Sequence, residues 1–385
     1  MIGAAVLAGL GVWAAATAVR AWAAHRFFAG QDQARQDEVR QDEPAVDELT
    51  ILQPILGGDS ALRGCLEANV RNTPGARFLW LVDEDDAAGA AAVAGLADGE
   101  RVEVLVGPAP RDGENPKVGK LALALPLVRT RYVAVLDDDT VLPPGGARRA
   151  VAALAHADLA TGLPLYAEGG TIWSRLVVGF VNGSALLTYP VAAHLKAGRT
   201  INGMFYVTPT ETLRALGGLG AIRGALTDDY ALARLYLDAG RTIRQTAVLH
   251  PITTTVTDGA HYARLMRRWM IFGLRYTREN ATGFTLGLVA LPTLLPPLLL
   301  LGALAAGPAT AALVLLALAG KAAVNAGLRR RVSGLQTPPS DAAFEMLADL
   351  LTPFHLLAAL AAGGRFTWRT RAIRMSGERI TFGRG

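Results

Sequence analysis

The sequence predicts an α/β fold with a mostly parallel sheet and with membrane helices at both ends of the chain. Hydrophobic residues account for 51% of the 385 residues and the mean hydropathy is +0.29, values that are high for a soluble protein. Between 47 and 260, short β-branched apolar runs alternate with helical patterns, which is typical of βαβ units. Apolar stretches long enough to cross a bilayer flank that region on both sides.

Charge and cysteine content narrow the class of protein. The formal net charge is +5, but residues 365–385 alone carry six Arg and one Glu, so the basic excess is local. Such a tail is typical of a membrane-flanking segment, and we expect no nucleic-acid partner. Only four of the 38 basic residues are Lys, and Ala and Gly abound, which indicates a GC-rich bacterial coding sequence. The single cysteine, Cys65, excludes an internal disulfide and a cysteine-rich metal site.

Residues 1–28 form the first predicted segment, an apolar stretch long enough to span a bilayer. A cleaved signal peptide is the alternative, but no positive region precedes the apolar run. Its basic residues, Arg20, His25 and Arg26, lie on the far side, which predicts an uncleaved anchor followed by cytoplasmic chain. Segment 29–46 is polar and charged and has the composition of a linker.

The α/β region begins with strands over 49–55 and 78–82, joined by a helix over 59–72 as in a Rossmann-like crossover. No GxGxxG follows the first strand, so a dinucleotide cofactor is not expected. The second strand ends at an acidic run in which Asp83 and Asp85 could contact a base or ribose. A helix cap is the alternative interpretation of these carboxylates.

Two lysines, Lys117 and Lys120, follow a third predicted strand over 102–106. Half of the lysines of the chain therefore lie just before its most acidic turn. Cations at this position would suit a diphosphate, while a solvated loop explains them equally well.

Strand 132–136 ends at three consecutive carboxylates, Asp137, Asp138 and Asp139. Open α/β sheets bind ligands at the carboxyl ends of their strands, and side chains at alternate positions can converge there. Asp137 and Asp139 could thus share one divalent cation, with Mg²⁺ or Mn²⁺ as the candidates. A solvated acidic turn is the alternative.

Two residues farther along could take part in catalysis or in metal binding. Asp229 follows Asp228 in the predicted first turn of a helix, where an ionised carboxylate could act as a general base or simply cap the helix. His250 ends a strand over 241–250 and could add a nitrogen ligand to a metal, although a lone His more often only hydrogen-bonds.

Several later segments suggest contact with the bilayer. The stretch 171–195 is apolar and aromatic and could be a core helix or lie in the membrane interface. A basic, aromatic helix over 261–276 carries Arg268 and Trp269 and suits an interface on composition alone. Segments 283–304 and 310–328 predict a membrane hairpin. Segment 344–362 contains charged residues, and a re-entrant or interfacial helix is preferred because a span would place the Arg-rich tail outside.

The order of these motifs resembles the membrane-bound inverting glycosyltransferases of the family-2 superfamily, which carry a GT-A domain, and most closely the ceramide glucosyltransferases of family 21. Three spaced Asp motifs and a (Q/R)xxRW helix mark that family. The matching positions are Asp83 or Asp85, Asp137 with Asp139, Asp229, and Arg268-Trp269. Further matches are Gln53-Pro54 with Gly57, Asn115-Pro116-Lys117, Gly162-Leu163-Pro164, Gly203-Met204 and Trp368-Arg369-Thr370. The resemblance covers nearly the whole chain.

The resemblance implies a UDP-sugar donor, a membrane lipid acceptor and a β-linked product. It implies that Asp229 is the base and that Asp137 or Asp139 holds Mg²⁺ or Mn²⁺ on the diphosphate. The residues that it implies for nucleotide-sugar binding are Pro54, Asp83, Asp85, Lys117, Asp137, Asp138, Arg268 and Trp269. The sequence departs from the family at Leu265, where Gln or Arg is usual, and in its third consecutive carboxylate.

These expectations divide the chain into six segments. They are an anchor (1–28), a linker (29–46), a cytoplasmic GT-A domain (47–260), an interfacial helix (261–282), membrane helices (283–364) and a basic cytoplasmic tail (365–385). The expected location is the inner membrane of a bacterium. Transfer of glucose to ceramide is the preferred function. Another lipid acceptor such as a hopanoid or diacylglycerol, a processive polysaccharide synthase, and a catalytically dead membrane scaffold are the alternatives.

Overall fold

A computed structural model describes residues 1–38, 46–111, 113–167, 170–334, 338–363, 365–368, 371–376 and 379–384. The chain forms two compact units. The sheet unit comprises Gln31–Ala167, Gly198–Thr255 and Arg369–Gly385. The helical unit comprises Met1–Gly30, Glu168–Ala197 and Val256–Trp368.

The sheet unit is built on seven strands in the order β3-β2-β1-β4-β6-β5-β7. These strands are β1 (Leu49–Pro54), β2 (Arg77–Asp83), β3 (Val102–Gly107), β4 (Tyr132–Leu136), β5 (Leu159–Tyr166), β6 (Phe205–Pro209) and β7 (Ile243–Ile252). The pairings are parallel except those of β6, which runs antiparallel to both of its neighbours. The mostly parallel sheet predicted from the alternating pattern is therefore present.

Helices cover both faces of this sheet. They are α2 (Leu62–Asn72), α3 (Ala87–Val93), α4 (Pro116–Ala124), α5 (Gly146–Ala152), α8 (Thr210–Ala215) and α9 (Asp228–Asp238), numbered in chain order with those of the helical unit. Strand β2 shows why: Phe78 and Trp80 enter one apolar cluster, while Leu79 and Leu81 enter the other. Alternate side chains point to opposite faces, so a strand that is apolar at every position must be covered on both.

The topology gathers the acidic strand ends at one edge of the sheet. Strands β1, β2 and β4 are parallel, so their carboxyl ends lie side by side. Strand β6 begins at the same edge, because Phe205 pairs with Leu136 at the end of β4. The connection that precedes β6 must therefore arrive beside Asp137.

The helical unit holds the apolar segments. Its helices are α1 (Ile2–Glu38, which continues past the unit boundary), α6 (Ile172–Asn182), α7 (Tyr189–His194), α10 (Gly259–Glu279), α11 (Gly283–Thr285), α12 (Leu291–Ala306), α13 (Pro308–Ser333) and α14 (Pro339–Ala361). A π-helical turn, Leu286–Ala290, joins α11 to α12. Within the described part of the chain, five stretches are long and apolar enough to cross a membrane: Ile2–Gln31, Ile172–His194, Gly283–Ala306, Pro308–Ser333 and Pro339–Ala361.

The observed helices can be compared with the segments predicted from the sequence. Only Gly307 separates α12 from α13, in agreement with the expected hairpin. Helix α14 is continuous and long enough to span a bilayer, while 171–195 is divided between α6 and α7. Helix α1 includes the first part of the expected linker, and residues 39–45 of that linker lie outside the described residues. The segment boundaries given above remain predictions.

The basic tail contains a three-stranded sheet. Its strands are β8 (Arg365–Trp368), β9 (Arg371–Ser376) and β10 (Arg379–Arg384). They lie in the order β10-β9-β8, in which β9 and β10 are antiparallel. The family-like segment 368–370 falls partly outside the described residues, since these include neither Arg369 nor Thr370.

Buried charges connect the helices of the helical unit. Lys321 on α13 lies 2.6 Å from Asp349 on α14, and Arg329 lies 3.4 Å from Glu345. Asn325, fully buried on α13, donates to the Glu345 carboxylate at 2.6 Å. In an apolar medium an unpaired charge is costly, so this pairing of two cations with two carboxylates lets polar residues occupy apolar helices.

Candidate active site

The carboxyl edge of the sheet brings together a lysine and two carboxylates from distant parts of the chain. The Lys117 ammonium lies 2.7 Å from Asp137 Oδ1 and 2.9 Å from Asp228 Oδ2. It also donates to the carbonyl oxygen of Gly203 at 2.9 Å. The predicted neighbourhood of Lys117 and Asp137 is thus present, and Asp228 joins it.

Helix capping explains why Lys117 is at this edge. Asn115 is the N-cap of α4 and accepts hydrogen bonds from the backbone N–H groups of Lys117 and Val118 at 3.0 and 3.3 Å. Pro116 occupies the first helical position, where its missing N–H costs nothing. Asn115 also donates to the carbonyl of Ala225 at 2.9 Å, which ties the start of α4 to the segment before α9.

Asp229 lies in the first turn of α9, as predicted. Burial raises its pKa to about 7, and the neighbouring charge of Asp228 acts in the same direction. Its Oδ1 accepts a hydrogen bond of 2.7 Å from the backbone N–H of Tyr230. Asp229 also packs against Gly203, where an added Cβ would lie only 2.9 Å from the Asp229 Cβ. A carboxylate with a near-neutral pKa has the property required of a general base at physiological pH.

Burial and neighbouring charges set the charge state of the cluster formed by Lys117, Asp137 and Asp228. Burial raises the pKa of Asp137 to about 6, although Lys117 opposes that shift. Burial also disfavours the Lys117 ammonium, but Asp137 and Asp228 outweigh it and hold the lysine pKa well above its ordinary value. Above pH 6 the cluster therefore consists of a cation and an ionised Asp137.

The other two members of the acidic triplet have protein donors. Asp138 is buried and accepts a hydrogen bond of 2.7 Å from the backbone N–H of Leu56, next to the end of β1. Asp139 accepts from the hydroxyls of Thr140 and Thr254 at 3.1 and 3.0 Å, one on each carboxylate oxygen. These bonds fix the orientation of both carboxylates. The predicted role of Asp138 in nucleotide-sugar binding remains a prediction.

A second buried pair lies at the end of β2. Lys120 is 3.0 Å from Asp83 and donates to the carbonyl of Ile55, the residue after Pro54. Burial raises the pKa of Asp83, and Lys120 opposes that shift. Among the described residues, Asp83 Oδ1 has no hydrogen-bond donor, so a ligand could supply one. Pro54 itself is buried at the end of β1.

Of the other aspartates in the acidic run after β2, one is exposed to solvent and one caps a helix. Asp85 is exposed. Asp86, which the sequence did not single out, caps α3 by accepting from Gly89 and also accepts from the backbone N–H of Gly57, both at 2.8 Å. Part of the run is thus a helix cap, the alternative considered for it.

His250 is completely buried near the end of β7. Its Nε2 lies 3.1 Å from Asn202 Oδ1, and its ring packs edge-on against Phe205. Burial lowers its pKa to about 3, so the imidazole is neutral. The Nε2 atom already has a partner in the protein, and metal ligation by His250 remains a prediction.

The carboxylates suit a divalent cation that is shared with a phosphate. The described residues contain no group of three or more His, Cys, Asp or Glu side chains that could hold a metal alone. Mg²⁺ and Mn²⁺, however, are commonly held by one or two carboxylates together with waters and substrate phosphates. Asp139 is close enough to Asp137 for its charge to raise the pKa of Asp137. This pair fits such a cation.

Arg268 and Trp269 lie on α10, in the helical unit. Trp269 stacks on Phe180 of α6 with ring centroids 5.8 Å apart. The same helix buries Tyr262 and Met266, and the Tyr262 hydroxyl lies 2.9 Å from His355 Nε2 of α14. The assignment of Arg268 and Trp269 to nucleotide-sugar binding remains a prediction.

Two residues of the cluster escaped the sequence-based selection of site residues, Asp228 and Gly203. Asp228 was visible only as the first half of a helix-capping pair. Gly203 was visible only as part of a family-like dipeptide. Their contacts with Lys117 depend on packing between segments far apart in the chain, for which a single sequence carries no local signal.

The mostly parallel sheet, its charged carboxyl edge and the apolar terminal helices suit a membrane enzyme that acts on a phosphorylated donor. The sequence model of Glycosyl transferase family 21 matches residues 8–380, so the chain belongs to that family and is a glycosyltransferase. This match confirms the predicted resemblance. It also confirms, with the observed sheet, the predicted α/β fold class.

Comparison with solved structures returned 257 matching chains. One is the crystal structure of glucosyl-3-phosphoglycerate synthase from Mycobacterium tuberculosis in complex with Mn²⁺, UDP and phosphoglyceric acid. It is 15% identical, with a TM-score of 0.36, and the match covers 58% of this chain and 77% of that one. No curated protein gave a significant match.

Proposed function

We propose that the protein is an inverting hexosyltransferase that moves a hexose, with glucose as the first candidate, from a UDP-sugar to the hydroxyl of a membrane lipid. The observation that carries this proposal is Asp229, a carboxylate with a pKa of about 7 beside the Lys117–Asp137 ion pair. A base poised near neutral pH next to a charged site is the arrangement that sugar transfer to an alcohol requires.

In the proposed reaction, Asp229 accepts the proton of the acceptor hydroxyl. The acceptor oxygen then forms a bond to the anomeric carbon while the bond from that carbon to the UDP oxygen breaks on the opposite face. An α-linked donor thus gives a β-linked product and UDP. Asp137 and Asp139 would hold Mg²⁺ or Mn²⁺, which supplies positive charge to the diphosphate when bound.

A lipid acceptor is supported by the helical unit. Its five apolar stretches are long enough to keep the enzyme in a bilayer, and a lipid presents its hydroxyl at the interface of that bilayer. Ceramide is the first candidate because the chain belongs to family 21. Hopanoids and diacylglycerol offer the same chemical group, and a growing polysaccharide would need a channel in addition.

We also propose that the protein resides in the inner membrane of a bacterium with its sheet unit in the cytoplasm. The basic residues after the first apolar stretch support this orientation. The only cysteine, Cys65, is buried, so single cysteines placed at exposed sites of a Cys65→Ser variant can report topology. Labelling of an exposed sheet-unit cysteine by an impermeant maleimide in intact cells would contradict the orientation.

The test of function uses the detergent-purified full chain with Mn²⁺, a panel of UDP-sugars, and ceramide, diacylglycerol or a hopanoid. Mass spectrometry identifies the glycolipid, and NMR of its anomeric proton gives the configuration. Asp229→Asn should abolish the product. Asp238→Asn, the same exchange at an exposed position of the same helix, should retain it.

Three outcomes would contradict parts of this proposal. Equal activity of Asp229→Asn would exclude Asp229 as the base. An α-linked product from an α-linked donor would exclude inversion. Product formed on a polysaccharide and on no lipid would exclude the lipid acceptor.

A further inference from the structure

We propose that Lys117 is a positioning residue that fixes the helix carrying Asp229, and that it does not contact the diphosphate. This inference rests on the proposed function, in which Asp229 is the base. It replaces the assignment of Lys117 to nucleotide-sugar binding, which the family resemblance implies.

The contacts of the ammonium group carry the inference. A lysine ammonium has three N–H donors. Lys117 has three acceptors within hydrogen-bond distance, at 2.7 Å (Asp137), 2.9 Å (Asp228) and 2.9 Å (the Gly203 carbonyl). Only 15% of its side chain is exposed. The Gly203 carbonyl accepts a hydrogen bond, and the two carboxylates form close ion pairs with the ammonium. A phosphate oxygen would have to compete with both carboxylates for this ammonium.

The three acceptors come from three separate segments at the edge of the sheet. Asp137 follows β4, Asp228 begins α9, and Gly203 lies in the connection before β6. Lys117 joins all three to the start of α4, which Asn115 fixes in turn. The lysine is therefore a cross-link between the strand end and the helix that presents Asp229.

The position of Asp229 depends on two of these contacts. Asp228 is its neighbour in the first turn of α9, so holding the Asp228 carboxylate holds that turn. Gly203 lies against the other side of Asp229, with room for no side chain between them. Lys117 thus anchors both structures that confine Asp229.

Charge compensation gives the cross-link a second role. Asp137 experiences the negative charge of Asp228, and Asp229 experiences the charges of both Asp228 and Asp137. Lys117 supplies the cation that lets Asp137 and Asp228 remain close together. Without it, repulsion between these carboxylates would move the first turn of α9 away from the strand end.

The test is a double-mutant cycle of Lys117→Met and Asp228→Asn, with the exposed Lys196→Met as a control. For each protein, kcat and KM are measured with the UDP-sugar, and UDP affinity is measured by calorimetry. We expect each single variant to lose about tenfold or more in kcat, with UDP affinity within about threefold of wild type. The double variant should lose no more than the worse single variant, since both remove one cross-link.

Two results would overturn the proposal. One is a tenfold or greater loss of UDP affinity in Lys117→Met that Asp228→Asn does not share, since a diphosphate contact predicts it. The other is a double variant whose loss is the product of the two single losses, since independent roles predict that. Lys117→Arg should not restore kcat, because a planar guanidinium cannot address the same three acceptors.

The cycle separates this inference from the proposed function. If Lys117→Met fails to fold, Asp228→Asn still decides, because it must lose kcat and keep its UDP affinity while Lys117 is intact. A wild-type enzyme that transfers no hexose to any lipid would refute the proposed function. Even then, a tenfold loss of UDP affinity in Lys117→Met alone would refute the positioning role.

Discussion

Replacing Gly203 with alanine should move the proposed base while every ionisable side chain of the site is retained. A Cβ at this position would lie 2.9 Å from the Asp229 Cβ and 3.4 Å from its Cγ. Ordinary van der Waals contact begins at 3.4 Å, so one of the two segments must move by about 0.5 Å. Asp229 lies at the start of a helix and Gly203 is held by Lys117, so the strain falls on the position of the carboxylate.

The magnitude follows from the sensitivity of catalysis to geometry. A misplacement of 1 Å can cost about 100-fold in rate, so about 0.5 Å should cost roughly tenfold in kcat, or about 1.4 kcal/mol of barrier. In the proposed function Asp229 does not bind the nucleotide, so UDP affinity should stay within about twofold of wild type. Initial rates over a range of UDP-sugar concentrations, together with UDP calorimetry, separate these quantities.

Gly198→Ala is the matched control, because it lies in the connection before the same strand and an added Cβ would meet nothing within 4 Å. It should retain full kcat. Unchanged kcat in Gly203→Ala would refute the tight placement of Asp229. A parallel loss in UDP affinity would show that the connection before β6 contacts the donor.

The remaining predictions concern pH, the cation and the helical unit. Because the pKa of Asp229 is raised to about 7, its carboxyl is protonated at lower pH, so kcat/KM should rise with pH and level off above 7; a flat profile from pH 5 to 7 would contradict this. Asp139→Asn should weaken Mn²⁺ binding in the presence of UDP, as followed by EPR, and equal affinity would exclude Asp139 as a ligand. Glu345→Ala leaves Arg329 without its buried carboxylate and should lower the free energy of unfolding in detergent by about 3–5 kcal/mol, whereas Glu279→Ala, which breaks an exposed pair, should cost less than about 1 kcal/mol.

Much of the architecture was predictable because it depends on local patterns. The run 132–136 is apolar and β-branched and forms β4, Tyr132–Leu136, as the pattern indicates. The apolar stretches become the long helices of the helical unit, since length and hydropathy are properties of the segment itself. Asp229 was placed in a first helical turn by its spacing before a helical apolar pattern. The division of 171–195 into two helices, the extension of α1 into the expected linker and the strands of the tail went beyond these patterns.

The functional features also fall into two groups, those set by the local sequence and those set by tertiary packing. The sequence by itself determined the fold class, the long apolar segments, the family and the acidic strand ends, because composition, periodicity and motif spacing are properties of the linear chain. The tertiary structure alone decided the partners of Lys117, the burial that raises the pKa of Asp229 and the close contact of Gly203. These depend on which segments meet at one edge of the sheet. For Lys117 and Gly203, 86 positions apart, packing of the whole sheet unit brings them together.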